Sequence, residues 1–128
     1  MIVFITGASA GFGAEMARTF VRNGHQVVMA ARRKERLESL AAELGDSALP
    51  VEMDVTSKAS IEEALALLPQ SWRQIDVLIN NAGGAFRGTV ASTSPAEWAA
   101  DVDSNLNGAF TCSHSVLPSM VERRAGNI

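Results

Sequence analysis

The chain has 128 residues, of which 47% are hydrophobic and 20% charged, and this balance excludes an intrinsically disordered chain and a collagen-like repeat. Its formal net charge of −3 comes from 11 basic and 14 acidic side chains, which disfavours a general nucleic-acid-binding protein. No apolar run approaches the roughly 18 residues that a membrane-spanning helix needs. A single domain over residues 1–128 is therefore expected.

Two features bear on the cellular compartment. Cys112 is the only cysteine, so no internal disulfide can form, which is typical of a reducing environment. The N-terminus lacks the basic residues that begin a signal peptide and leads directly into a strand-like segment. We therefore expect a cytoplasmic protein.

Short apolar runs alternate with segments of helical periodicity along the chain. Continuous apolar runs of this length are typical of strands that are buried on both faces of a sheet. The predicted strands cover residues 2–5, 27–31, 48–53 and 75–79. Apolar residues recur at helical spacing over residues 12–21, 37–44 and 61–68. Gly24 and Gly45 are expected to end the first two helices, and Pro69 the third.

A fourth and longer helix is predicted after the last strand. Ser94 supplies its N-cap, Pro95 occupies the first helical position, and Glu97 lies three residues after the cap. Apolar residues continue at helical spacing over residues 98–116, and Pro118 predicts a bend or an end.

This alternation predicts an α/β fold made of right-handed βαβ units around a parallel sheet. Pro50 cannot donate to a central ladder, which places the third strand at an edge and gives the order 3-2-1-4. That order begins a Rossmann-type, doubly wound parallel sheet in three αβα layers. A fifth strand is expected to begin after Gly126, so we interpret residues 1–128 as an incomplete domain of about four strands, the front half of a larger one.

A glycine-rich turn joins the first strand to the first helix. It reads Thr6-Gly7-Ala8-Ser9-Ala10-Gly11-Phe12-Gly13, a GxxxGxG spacing that is one residue longer than the usual GxGxxG. Glycines there permit a tight turn and let amide groups at a helix N-terminus approach a pyrophosphate. A purely structural turn is the alternative, but the strand–turn–helix order favours a dinucleotide site.

A basic cluster follows the second strand. An NAD or S-adenosylmethionine site normally has an acid here to bind the ribose hydroxyls, whereas residues 31–36 read Ala-Arg-Arg-Lys-Glu-Arg. Guanidinium groups pair with phosphate, so Arg32, helped by Arg33, indicates a 2′-phosphate and hence NADP(H). The alternative is a solvated first turn of helix, which we prefer for Lys34 and Arg36.

Further motifs are spaced along the chain after the glycine-rich turn. They are Asp54-Val55 after the third strand, Asn80-Asn81-Ala82-Gly83 after the fourth, and Asn105-Leu106-Asn107-Gly108 in the long helix. With these motifs the sequence resembles the short-chain dehydrogenase/reductase family. The basic cluster, Leu68-Pro69 with Trp72, and residues 116–123 are most similar to its NADP-dependent 3-hydroxy acid (serine and allo-threonine) dehydrogenases.

The resemblance implies hydride transfer between NADP(H) and a small alcohol or carbonyl, such as a 3-hydroxy acid. It implies that Ser9 lies near the adenosine ribose or its phosphate, and that Asp54 accepts a hydrogen bond from the adenine amino group beside Val55. A helix-entry acid is the alternative role for Asp54. The candidate cofactor-binding residues are Gly7, Ser9, Ala10, Gly11, Phe12, Gly13, Arg32, Arg33, Asp54, Val55, Asn81, Ala82 and Gly83.

The resemblance also implies one catalytic residue within the chain. Asn105 would be the asparagine of the family's Asn-Ser-Tyr-Lys tetrad and would hold a water in the proton relay. The alternative is a polar residue satisfied within its helix, although the cluster Asp103-Ser104-Asn105 needs partners in an otherwise apolar segment. Asn81, Ala82 and Gly83 would border the cofactor ribose, and Asn81 would also steady the central strands.

The sequence departs from the family's catalytic pattern. It contains no tyrosine, and its two lysines, Lys34 and Lys58, precede the fourth strand. In the family, the catalytic serine, tyrosine and lysine follow the point where this sequence stops. Ser113 and Ser115 are poor substitutes, because such helical serines ordinarily pack or bond back to the helix. Without the acid, general acid–base help of about 10²–10⁴ is lost, so the chain alone is expected to be catalytically incompetent.

Two other functions stay open. The absent tyrosine favours a complete, non-catalytic nucleotide-binding or interaction module. A methyltransferase-like half is disfavoured by the basic cluster. The expected partners are NADP(H) and a small alcohol or carbonyl substrate, without nucleic acid or membrane, and the resemblance implies a homo-oligomer through the long helix. His25 and His114 have no second ligand at metal-binding spacing, so no metal is predicted, and Trp72 and Trp98 are interpreted as packing residues.

Overall fold

Each strand of the sheet is parallel to its neighbours, as the alternation of strands and helices predicts. The computed structural model describes residues 1–128, and its strands are β1 (Ile2–Thr6), β2 (Gln26–Ala31), β3 (Ala48–Glu52) and β4 (Val77–Ile79). They are arranged in the order β3-β2-β1-β4, which confirms the predicted Rossmann-type topology. All five residues of β1 are buried, because this strand has neighbours on both sides and helices on both faces.

The helices alternate with the strands and flank the sheet. They are α1 (Gly11–Arg22), α2 (Lys34–Leu44), α3 (Lys58–Ala66), α4 (Pro95–Val102) and α5 (Gly108–Arg123). A π-helical turn over Asp103–Asn107 lies between α4 and α5. Helix α1 stops shortly before Gly24, whose φ of +79° suits glycine, and α2 ends at Gly45, whose φ is +70°.

Two apolar cores lie on opposite faces of the sheet, because successive side chains of a strand point to opposite faces. On one face, Phe4 of β1 belongs to a cluster with buried residues of α3 and α5. On the other, Val3 and Ile5 belong to a cluster with buried residues of α1 and α2. The sheet is therefore the middle of the three predicted layers.

The two edges of the sheet differ. Strand β3 pairs only with β2, and Pro50 lies opposite Met29 in that register, which confirms the predicted edge position. On the outer side of β4, Asn127 forms an isolated parallel bridge with Val77. The Asn127 carbonyl accepts from the Leu78 amide at 3.0 Å. The segment at Asn127 thus lies where the predicted fifth strand would begin.

The region after β4 differs from its prediction in three ways. The long helix is divided into α4 and α5 by the π-helical turn, because the i→i+5 backbone hydrogen bonding of that turn shifts the helical register. Pro118 lies inside α5, whose neighbouring Val116 and Met120 are anchored in the core, so of the two predicted outcomes, a bend or an end, the end is excluded. Trp98 is 66% exposed and is not a packing residue, because no residue of α4 is buried. Trp72 does pack against the core.

Candidate functional site

The predicted site residues gather at the carboxyl edge of the sheet. Because all four strands are parallel, the segments that follow Thr6, Ala31, Glu52 and Ile79 leave the sheet at the same edge. These segments contain the glycine-rich turn, the basic cluster, Asp54-Val55 and the Asn80–Gly84 loop. In open sheets of this topology, this edge is where ligands bind.

The glycine-rich turn needs glycine for two different reasons. Gly7 and Gly11 have φ values of +68° and +57°, a region that side chains disfavour. A Cβ on Gly7 would lie 2.8 Å from the Ala82 Cα, and one on Gly13 would lie 2.5 Å from the Gly7 carbonyl oxygen. A Cβ on Gly11 would meet nothing within 4 Å. The turn is thus packed against the loop after β4 on one side and open at Gly11.

A hydrogen-bond lock joins the glycine-rich turn to that loop. The hydroxyl of Thr6, which is 1% exposed, accepts from the amides of Asn81 and Ala82 at 3.0 and 2.9 Å. It also donates to the Ile79 carbonyl at 3.3 Å. The Asn81 side-chain Nδ2 donates to the carbonyls of Thr6 and Gly7 at 3.0 and 3.3 Å. These bonds fix the position of the turn relative to β4.

Sequence motifs alone do not identify Thr6 as a site residue, although a signal for it is present. Thr6 is the one polar residue in an otherwise apolar strand, and buried polar groups require partners. The structure assigns those partners to the lock. Asn81, by contrast, has the strand-steadying position that the resemblance implies.

The basic cluster reaches the glycine-rich turn through Arg33. Its Nε and Nη2 atoms donate to the Ser9 Oγ at 3.2 and 2.9 Å. Arg32 is exposed and makes no ion pair or side-chain hydrogen bond within the chain. The Lys34 Nζ lies 3.8 Å from the Glu38 Oε1, and the two residues form an i,i+4 ion pair on the surface of α2. Arg33 and Ser9 therefore present a guanidinium and a hydroxyl side by side, next to the N-terminus of α1.

Asp54 has a local structural role that leaves half of its carboxylate unused. Its Oδ1 accepts from the amide and the hydroxyl of Thr56 at 2.9 and 2.8 Å, and its Oδ2 has no hydrogen bond. The N-cap of α3 is Ser57, not Asp54. Val55 lies against the start of α5, since a Cβ on Gly108 would be 2.9 Å from the Val55 carbonyl oxygen. The carboxylate thus helps helix entry and retains one unpaired oxygen.

Asn105 lies in the π-helical turn and holds the loop after β4. Its Nδ2 donates to the Gly84 carbonyl at 2.7 Å and to the Asp101 carbonyl at 2.9 Å. A Cβ on Gly83 would clash with the Asn105 Oδ1, so a larger residue there would push the Asn105 side chain out of its position. Both bonds use the Asn105 amide nitrogen as the donor. The partners predicted for this polar cluster are therefore carbonyl groups of the loop and of α4.

The serines of α5 bond back to their own helix, as predicted. Ser113 Oγ donates to the Ala109 carbonyl at 2.7 Å, and Ser115 Oγ to the Thr111 carbonyl at 2.9 Å. Ser113 also accepts from the Asn80 Nδ2 at 3.0 Å. Neither serine is paired with a histidine or a carboxylate that would activate it.

The arrangement suits a phosphate-bearing ligand. Gly11 leaves the backbone at the start of α1 uncovered, and the positive end of a helix dipole favours anions there. Beside it, the Ser9 hydroxyl and the Arg33 guanidinium are in contact, and both groups are of the kind that donate to phosphate oxygens. Phe12 is 86% exposed at the second position of α1, so an apolar surface adjoins the polar turn. The donor set thus suits an anionic group such as a phosphate.

Three further observations describe the chemistry of the chain. No group of three or more His, Cys, Asp or Glu side chains is arranged to hold a metal ion. None of the helices combines the length and the apolar character that crossing a membrane requires. Cys112 is buried beneath the sheet, and burial raises the pKa of its thiol to about 11, so it packs as a small apolar group.

Comparison with known proteins places these features in one family. The sequence model of the family described as short chain dehydrogenase matches residues 1–128. An NADP-dependent 3-hydroxy acid dehydrogenase of Salmonella typhi is 49% identical over the whole chain. A serine 3-dehydrogenase of Agrobacterium fabrum is 43% identical over 95% of the chain. The chain spans about half the length of these relatives, 52% and 49% respectively.

Solved structures give the same result. A closed form of serine dehydrogenase complexed with NADP+ superposes with a TM-score of 0.96 at 44% identity, and the match covers 99% of this chain and 53% of the other. A serine dehydrogenase from Escherichia coli superposes with a TM-score of 0.94, also at 44% identity, over 99% of this chain and 61% of the other. The fold of residues 1–128 is thus the fold of the corresponding part of these proteins.

Proposed function

Because the chain belongs to the short-chain dehydrogenase family, we propose that it is the NADP(H)-binding half of an oxidoreductase acting on a small alcohol or carbonyl. The observation that carries the proposal is the pair of hydrogen bonds from Arg33 to Ser9 beside the glycine-rich turn. Relatives named as NADP-dependent 3-hydroxy acid dehydrogenases support the coenzyme and suggest a 3-hydroxy acid as the substrate class.

In this proposal the coenzyme's phosphates lie at the glycine-rich turn. The pyrophosphate accepts from the amides around Gly11 at the start of α1, with Ala10 and Phe12 on either side. Arg32, Arg33 and Ser9 bind the 2′-phosphate through charged hydrogen bonds. The crowding at Gly7 and Gly13 supports a structural part for these two glycines, which keep the turn close to the loop after β4.

The adenine and ribose would be held by the next two segments. Asp54 has an unpaired Oδ2, which is suited to accept from the adenine amino group, and Val55 offers an apolar contact to the ring. Asn81, Ala82 and Gly83 would border a ribose. The lock on Thr6 supports this assignment, because it holds Asn81 and Ala82 against the end of β1.

Asn105 is proposed to act in proton transfer rather than in coenzyme binding. The nicotinamide supplies or accepts the hydride when it is bound. Asn105 donates from its amide nitrogen to the Gly84 and Asp101 carbonyls, which orients the side chain, and it would hold a water in the proton relay. The residues that would exchange the proton with that water are not in this sequence, which contains no tyrosine.

We therefore propose that residues 1–128 are truncated before the Ser, Tyr and Lys segment and do not turn over substrate alone. The chain's coverage of about half of its relatives supports this view. The competing proposal, a complete nucleotide-binding module without catalysis, rests on the absent tyrosine alone. Reading the gene beyond codon 128 separates the two: a tyrosine with a lysine four residues later supports the oxidoreductase, whereas an immediate stop codon supports the module.

We also propose a homo-oligomer and a cytoplasmic location. Leu106, Phe110, Leu117 and Val121 are exposed at helical spacing along the π-helical turn and α5, a surface that a second copy could cover. The lone, buried Cys112 supports a reducing compartment. Light scattering of the purified protein tests the oligomer, and a monomer at all concentrations would contradict it.

Binding is the decisive measurement. The purified protein is titrated with NADPH and with NADH, following nicotinamide fluorescence, and saturable binding that prefers NADPH is expected. Absence of NADPH binding by a folded protein would overturn the proposal. The 128-residue chain is then assayed with NADP+ and L-serine, where no turnover is expected, and measurable turnover would show that the missing segment is dispensable.

A further inference from the structure

A cleft between α1 and α2 adjoins the glycine-rich turn on its outer side. Its volume is about 370 Å³. The turn contributes Ser9, Ala10 and Gly11 to its wall, and α2 contributes Arg36 and Ser39. Ser9, the residue that Arg33 contacts, is therefore shared between the candidate coenzyme site and this cleft.

The cleft has a net positive charge, because its one acidic side chain is neutralised by an ion pair. Two arginines, Arg18 and Arg36, and one acid, Glu43, line it. Glu43 is bound at both oxygens, because Arg18 Nε and Nη2 donate to its Oε1 and Oε2 at 2.7 and 2.8 Å. That hydrogen-bonded pairing also holds the pKa of Glu43 below its usual range. Arg36 is therefore left as the uncompensated charge of the cleft.

Arg36 has no partner that explains its position. It makes no salt bridge or side-chain hydrogen bond within the chain, unlike Lys34 in the same turn, which pairs with Glu38. It is also the third residue of α2, where a cation is disfavoured by the helix dipole. The guanidinium of Arg36 is therefore free to bind an anion in the cleft.

We infer that Arg36 is a further specificity-determining residue, which reaches across the cleft toward the 2′-phosphate of the coenzyme held at Ser9. The inference rests on the proposed function and deepens it. Arg33, which follows β2, would bind that phosphate from one side, and Arg36 would bind it from the cleft on the other side. Ser39, three residues after Arg36 on the same helix, adds a second hydroxyl to the wall of the cleft. A ligand without the 2′-phosphate would not engage Arg36.

The test compares ligands that differ only in that phosphate. The purified wild-type protein and its R36A variant are titrated with NADPH and NADH, and with 2′,5′-ADP and 5′-AMP, by calorimetry. We expect R36A to weaken NADPH and 2′,5′-ADP by about three- to tenfold, the range of an exposed charge contact, and to leave NADH and 5′-AMP unchanged. R36K should retain part of the affinity, because it keeps the charge without the planar fork.

Lys34→Ala is the matched control. It removes the same charge from the same turn of α2, but Lys34 does not line the cleft. A general loss of positive potential would weaken NADPH equally in K34A and R36A and would overturn the inference. A second variant, R36E, guards against misfolding because an acid favours the first turn of a helix, and it should lose more NADPH affinity than R36A.

The outcomes separate this inference from the proposed function. If the wild type binds NADPH and R36A and R36E bind it equally well, the inference fails and the proposed function stands. If R36A weakens NADH as much as NADPH, Arg36 is structural and the inference also fails. If the folded wild type binds no NADPH, both fail together.

Discussion

The guanidinium group of Arg33 donates two hydrogen bonds to the Ser9 hydroxyl, across 24 positions of sequence. This contact joins the end of β2 to the glycine-rich turn after β1. Periodicity identifies both segments, but it does not indicate which of two adjacent arginines reaches the turn. Arg32 extends into solvent without a partner and can meet a ligand only from outside.

The first prediction concerns these two arginines. Arg32→Ala and Arg33→Ala should each weaken NADPH binding by about 1.5–3 kcal/mol and spare NADH, because a charged hydrogen bond to phosphate is lost. Arg33→Ala should in addition release Ser9, so Ser9→Ala should have little further effect in that background. Titrations with both coenzymes measure this. Lys58→Ala, which removes a charge from the first turn of α3, is the control, and equal losses for NADH and NADPH would show that the arginines are structural.

The second prediction concerns the lock on Thr6. Thr6→Val keeps the shape of the side chain but leaves the Ala82 amide without its acceptor, while the Asn81 amide keeps only the Ile79 carbonyl, at 3.1 Å. Unsatisfied buried groups cost about 1–3 kcal/mol each, so the free energy of unfolding should fall by at least that amount. Thr6→Ser keeps the acceptor and loses one methyl group, for about 1 kcal/mol. Urea denaturation compares the two, and a Thr6→Val protein as stable as Thr6→Ser would contradict the lock.

The third prediction concerns Gly13. Glycine normally costs a helix about 1 kcal/mol relative to alanine, so Gly13→Ala would ordinarily stabilise α1. Here a Cβ would lie 2.5 Å from the Gly7 carbonyl oxygen, so we expect destabilisation and weaker NADPH binding as the turn shifts. Gly84→Ala is the control, because a Cβ there meets nothing within 4 Å and its φ is not positive. Thermal denaturation of both variants, with and without NADPH, decides between crowding and helix propensity.

Sequence reasoning was sufficient for the sheet because its signals are local. The alternating apolar periods define the strands, and Pro50 alone marks the edge, since a missing amide cannot serve a central ladder. The same reasoning fails for Trp98, because the exposure of α4 depends on which surfaces the rest of the chain covers. Apolar character alone does not distinguish a residue that packs within the chain from one on an uncovered face.

The candidate site was predictable as a set of segments but not as a network. Motif spacing correctly places Asn81 directly after β4 and Asn105 within the helical segment that follows. Their partners, however, are backbone carbonyls of Thr6 and Gly84, 75 and 21 positions away. The π-helical turn that carries Asn105 also has no signature in the sequence, because Trp98, Val102, Leu106 and Ala109 keep the spacing of one uninterrupted helix.

The fourth prediction concerns Cys112 and the alkaline stability of the fold. Burial raises the pKa of its thiol from the ordinary value of 9.0 to about 11 in the native chain. Between these two values the unfolded chain loses the thiol proton while the native chain keeps it. The free energy of unfolding should therefore fall as pH rises from 9 to 11, by up to about 1.4 kcal/mol per pH unit.

Two measurements test this expectation. Urea denaturation at pH 8, 9, 10 and 11 should show this fall in the free energy of unfolding. In Cys112→Ala the fall caused by ionisation of the thiol should be absent, so the free energy of unfolding should depend less on pH, although the variant is less stable at every pH. Iodoacetamide provides an independent check, because it reacts with the thiolate. At pH 8 only about one native thiol in a thousand is ionised, so the native protein should be alkylated slowly and the urea-unfolded protein rapidly. Equal alkylation rates would mean that α5 opens readily from the sheet and that Cys112 is not held in the core.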